Sequence, residues 1–124
     1  MELINLTPHD ITILAYLPDG AGLGHDDILR IACGKKYREI TRIPSSGVAR
    51  LKTEIERVGH VQGVPLTRTT FGEPECLPEP QEGRYYNVSA VVKYNCPDRD
   101  DLVVPAEVVR NGSGQIIGCC ALSL

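Results

Sequence analysis

Apolar residues recur along this chain in short runs, each cut off by Gly, Pro, Asn or Asp. That spacing belongs to short strands and tight turns rather than to long helices. Glu2–Leu6 opens as a strand. Thr7-Pro8-His9-Asp10 is a turn, because proline fixes φ and aspartate bonds its own neighbouring backbone. Ile11–Leu17, β-branched and weakly alternating, is then the second arm of a hairpin with the first strand. A glycine-rich loop follows. Asp26 is a candidate helix cap, with Ile28, Leu29 and Ala32 on the inner face of a short helix over Asp26–Ala32. Gly34–Arg42 sets Lys35, Lys36, Arg38 and Arg42 around Tyr37, the pattern of an exposed loop or of an edge strand blunted by charge.

Val48–Val61 reads two ways. Val48, Leu51, Ile55 and Val58 have helical spacing, but Gln62-Gly63 is a tight-turn pair and Val64–Phe71 beyond it is strand-like. The short connection favours a long hairpin. Gly72–Gly83 holds Pro74, Pro78 and Pro80, so it is an ordered, extended loop. Arg84–Ser89 is a strand, and Ser89 is placed to cap a short helix over Ala90–Asn95. Pro97–Asp101 is a turn. Leu102–Val104 and Glu107–Arg110 are strands separated by Pro105. Asn111-Gly112-Ser113-Gly114 is a hairpin turn, and Gln115–Leu122 is the last strand. The sum is an α+β fold: mainly antiparallel β-sheet of short strands and hairpins, with one or two short helices.

Composition narrows the function. The 124 residues, 42% hydrophobic, fit one domain with a real core. A net charge of −3 is wrong for duplex nucleic acid, which needs a broad cationic surface. No run is long enough to span a membrane. Nine of the 13 basic residues are Arg, the side chain that grips phosphate bidentately. The five Cys are odd in number and include no CxxC. With no leader in Met1–Leu6, the expectation is reduced thiols in the cytoplasm.

Catalytic signals are weak. His9, His25 and His60 lie in separate segments, with no metal-ligand spacing and no H-E-x-x-H. No P-loop occurs, and Gly20, Gly22 and Gly24 do not follow a strong strand, so neither a metal nor a cofactor is expected. Binding chemistry is better represented. Tyr85, Tyr86, Asn87, Tyr94, Asn95, Arg99 and Arg110 offer aromatic faces for a base, amides for its edge and guanidinium forks for phosphates. On a strand Tyr85 and Tyr86 face opposite ways, so one is core and the other available.

The segments NLTPHDI (Asn5–Ile11), PSSGVAR (Pro44–Arg50), LPEPQEG (Leu77–Gly83), RDDLVVP (Arg99–Pro105) and VRNGSGQIIGC (Val109–Cys119) together resemble a family of small phage and prophage proteins, the first-described Thoeris anti-defence sponges. The resemblance spans most of the chain. It implies a non-enzymatic protein that binds a cyclic ADP-ribose isomer made by TIR-domain sensors and holds it intact. It implies dimers that assemble into hexamers, a ligand at the subunit junction and, in some members, cyclic oligonucleotides at a separate site. The positions it points to are Arg57 and Arg110 for phosphates, Tyr85 or Tyr86 for stacking, Asn95 for polar edges, and Arg30. Two other classes stay open from the residues alone: a small enzyme that cleaves cyclic nucleotide signals, and a phage structural or regulatory protein with no small ligand.

Overall fold

A computed structural model describes residues 1–124. The strands are β1 (Glu2–Asn5), β2 (Ile11–Leu17), β3 (Ile28–Ala32), β4 (Lys35–Ile43), β5 (Arg50–Val61), β6 (Val64–Glu75), β7 (Arg84–Asn87), β8 (Leu102–Arg110) and β9 (Ile116–Ser123). One helix, α1, spans Ala90–Tyr94. Seven strands form a mixed sheet in the order β1-β7-β8-β9-β2-β4-β3, and β5 with β6 forms a separate two-stranded ribbon. The fold is α+β and mainly β, as the strand-and-turn pattern predicts.

Tight turns set much of this arrangement. Gln62 and Gly63 both have positive φ, 51° and 78°, the backbone that a two-residue hairpin turn requires. They join β5 and β6 into the predicted hairpin, with Val61 opposite Val64. The Asn111 side-chain oxygen accepts from the Ser113 and Gln115 amides, both at 3.0 Å, and so closes the β8–β9 turn. Ser89 caps α1, its hydroxyl accepting from the Val92 amide.

Four expectations are corrected. β1 does not form a hairpin with β2: it pairs in parallel with β7, Leu3 opposite Tyr85 and Ile4 opposite Tyr86. Asp26–Ala32 is not helical. Cys33 and Gly34, with φ of 51° and 78°, turn β3 back on β4, so Asp26 caps no helix, and its neighbour Asp27 accepts from the Gly24 amide. β4 is neither loop nor edge, since it lies between β2 and β3. Pro105 does not split β8. Past Val103 that strand is paired only with β9, and proline is tolerated where one side carries no ladder.

Two cores result. Leu6, Ala49, Leu51, Tyr86, Val88, Val92 and Leu102 form the larger, between α1, β7 and the base of β5. Leu14, Ala32 and Val109 form the smaller, which gathers side chains of β2, β3 and β8. Beyond Leu51 the β5–β6 ribbon stands clear of both, and every β6 residue is exposed. No helix is long and apolar enough to cross a membrane.

Candidate functional site

Strand alternation separates the two tyrosines as expected. Tyr86 is fully buried, its hydroxyl donating to the Glu79 carbonyl at 3.4 Å. Tyr85 projects from the other face and is half-buried. On one side it borders an apolar slot of ≈ 340 Å³ with Leu3, Val103, Leu122 and Leu124. On the other it borders a polar notch of ≈ 210 Å³ with Gln81, Gly83, Arg84 and Asp100. A flat ring with a wet and a dry side is suited to a flat ligand that is itself part polar. Arg84 is anchored beside it by an ion pair with Glu2 at 2.8 Å.

The other candidates lie elsewhere on the molecule. Asn95 is the exposed C-cap of α1, its amide donating to the Val91 carbonyl at 2.8 Å. Arg110 ends β8, eight positions beyond Leu102, the partner of Tyr86. At about 3.4 Å per strand residue that is roughly 25 Å from the tyrosines. Its guanidinium donates to the Gly114 carbonyl at 2.8 Å. Arg30 is on β3, paired with Glu39 at 3.1 Å. It lies toward the Arg110 end of the fold, where the Cys33 thiol, at the β3–β4 turn, donates to the Arg110 carbonyl. Arg57 is exposed on the ribbon, six residues or about 20 Å beyond Leu51 at its root. One copy of the chain therefore puts Arg30 at the same end as Arg110 but does not gather Arg57, Tyr85 and Arg110 around one ligand.

Two further candidates are used internally. Arg99 makes a forked pair with Asp101, donating through two bonds of 2.8 Å. Asn87 is fully buried and donates to the Asn5 side chain at 3.3 Å. Asp101 lies only two residues from Arg99, within the same turn, whereas the partner of Asn87 lies 82 residues away and is set by tertiary structure. His9, His25 and His60 are all exposed, in separate segments. No group of three or more His, Cys, Asp or Glu is gathered as a metal site would need. All five cysteines are free. Burial pushes the Cys119 and Cys120 thiols up, which disfavours the thiolate.

No protein-family model, curated protein or solved structure matches the chain, so the functional reading rests on its residues and their geometry.

Proposed function

We propose that the protein is a sponge: it binds a cyclic ADP-ribose isomer without cleaving it, in the cytoplasm of a phage-infected host, and so blocks TIR-based immune signalling. The observation that carries this reading is Tyr85, half-buried between an apolar slot and a polar notch. The ring gives an adenine base a stacking face. The carboxylate of Asp100 in the notch repels phosphate but accepts from ribose hydroxyls. The diphosphate needs guanidinium groups from elsewhere, and Arg57 and Arg110 are the resembling positions.

Those arginines reach the ligand only if copies assemble. The surface supports assembly. A compact monomer of 13.5 kDa exposes about 6,500 Å², whereas this chain exposes 8552 Å². The surplus, about 2,000 Å² on one copy, exceeds the roughly 800 Å² per partner that a standard stable interface buries. Much of it is the ribbon, which leaves Ile55, Val58, Val61 and Val64 exposed. A homo-oligomer, a dimer and then a hexamer, would let the ribbon of one copy deliver Arg57 to the Tyr85 face of another.

Incubating the protein with the cyclic nucleotide, denaturing it and weighing the released ligand tests the reading. A sponge returns the ligand intact at one per site, as counted by native mass spectrometry. Recovery of linear products would establish the enzyme instead, and no binding of any cyclic ADP-ribose isomer would sink the proposal.

A further inference from the structure

β3 ends the large sheet, and β4 is its only neighbour there. The turn between them decides which backbone groups of β3 are already used. Cys33 and Gly34 form a two-residue connection, so Ala32 and Lys35, which flank it, are a hydrogen-bonded pair. Such pairs alternate along an antiparallel ladder, so Arg30 with Tyr37 and Ile28 with Glu39 are bonded too. The N–H and C=O groups of Leu29 and Ile31 therefore point away from β4. No turn or loop of the chain bonds to them.

Sheet edges are commonly guarded by proline, a bulge, a free charge or a very short strand. β3 lacks these guards. It has no proline, its register with β4 is unbroken, and its one charge, Arg30, is tied to Glu39 on the next strand. Its apolar side chains are open to solvent: Ile28 is 54% exposed, Leu29 39% and Ile31 62%. The opposite edge of the sheet, β1, is only four residues long and opens on Glu2. The β3 edge thus offers free backbone donors and acceptors together with accessible apolar surface, which is what an added strand uses.

The charge beside this edge selects the partner. Residues 28–43 carry Arg30, Lys35, Lys36, Arg38 and Arg42 against a single carboxylate, Glu39. Arg30 and Arg42 share that carboxylate, and Arg38 lies 3.8 Å from Asp27. Lys35 and Lys36 are exposed and pair with nothing. Lys36 stands in register with Ile31, and Arg38 with Leu29. A second β3 laid against the first would bring two cationic hairpins together, which like charge disfavours. An acidic strand would instead aim carboxylates at Lys36 and Arg38 across two strand spacings, about 10 Å between backbones, and long side chains reaching from both ends close that gap. We propose that the β3 edge docks an extended, acidic segment of another protein, which joins the sheet as a further strand with its backbone bonded to Leu29 and Ile31. The surface is separate from Tyr85 and does not depend on the sponge reading.

The probe is a short capped peptide of alternating glutamate and valine. In ¹H–¹⁵N spectra of the labelled full chain, it shifts the Leu29 and Ile31 amides. A peptide of alternating lysine and valine binds about tenfold or more weakly, and so does a depsipeptide of the glutamate sequence, whose ester links carry no N–H. Ile31→Pro removes the outward N–H, spares the ladder to β4 and abolishes binding. If that variant loses its fold, the depsipeptide makes the same test on the native chain. The proposal is overturned if the lysine peptide or the depsipeptide binds as tightly as the glutamate peptide, if the Leu29 and Ile31 amides stay still at millimolar peptide, or if folded Ile31→Pro binds normally. Leu29 and Ile31 signals that move with protein concentration alone would assign the edge to a second copy and overturn it. So would a single-stranded oligonucleotide or an anionic vesicle that moves Lys35 and Lys36 while the glutamate peptide moves nothing.

Discussion

Arg99 and Asp101 face each other through two parallel hydrogen bonds of 2.8 Å, Nε to Oδ1 and Nη2 to Oδ2. The same guanidinium donates to the Pro78 carbonyl at 2.9 Å and lies 5.9 Å from the Tyr86 ring centroid. One side chain thus ties the proline-rich loop and the RDD turn to the core tyrosine. Arg99→Ala leaves a nearly buried carboxylate unpaired, and we expect a loss of about 2–3 kcal/mol, read from the urea midpoint. Arg99→Lys keeps the charge but not the fork, so it should recover only part of that loss.

Acid should act on the same pair. The hydrogen bonds from Arg99 hold the Asp101 carboxyl below its ordinary range, against the opposing effect of burial. A depressed folded value means that the stabilisation is fully present above the unfolded carboxylate value of about 3.9. It is lost as pH falls through the folded value. Urea midpoints measured from neutral pH down to about pH 3 should therefore drop more steeply for the native chain than for Asp101→Asn. Parallel curves would remove Asp101 as the acid-sensitive group.

The two tyrosines should separate stability from binding. Tyr86→Ala empties the larger core and should cost about 3–5 kcal/mol. Tyr85→Ala should cost about 1 kcal/mol or less while weakening the cyclic nucleotide strongly, as stacking on an aromatic ring is worth about 1–3 kcal/mol per base. Calorimetric titration of both folded variants checks this. Unchanged affinity in Tyr85→Ala would exclude it as the stacking face.

Arg110→Ala should leave the fold intact, because the residue is exposed and its bond to Gly114 closes only a turn. Affinity should fall by about tenfold or more if the guanidinium holds a phosphate. Arg30→Ala should differ. The Glu39 carboxylate, 8% exposed, would keep only Arg42 at 3.5 Å, and thermal stability should fall by about 1 kcal/mol.

The ribbon should matter for assembly rather than for folding. Ile55 is 67% exposed, so Ile55→Asp should change the stability of a single copy by no more than about 0.5 kcal/mol. Light scattering at micromolar concentration should show the native chain as an oligomer and this variant as a smaller species. A native chain that scatters as a monomer would remove the shared site.

What the sequence revealed was what short-range chemistry controls. Gln62-Gly63, Ser89 and Asn111–Gly114 each fix backbone within a few residues, and the β5–β6 hairpin, α1 and the β8–β9 turn followed. The partner of β1 was hidden because Glu2 meets Arg84, and no local signal records that distance. β3 was hidden because Asp26 mimics a helix cap, while the deciding turn, Cys33-Gly34, puts a non-glycine residue at positive φ. The residue types of the candidate site were legible as well. Their separation was not: Tyr85 and Arg110 lie close in sequence yet at opposite ends of neighbouring strands.

The parallel pairing of β1 with β7 also sets an order of events during synthesis. Asn5 and Asn87 stand in the same register row, so β1 has no partner until more than 80 residues have followed it. At about 5–20 residues per second, that is roughly 4–16 s of translation. The β5–β6 ribbon, whose arms are adjacent in the chain, can close within that interval. β1 is sealed into the sheet only once β7 has been made, so a nascent chain halted before β7 carries a finished arm and an unfinished body.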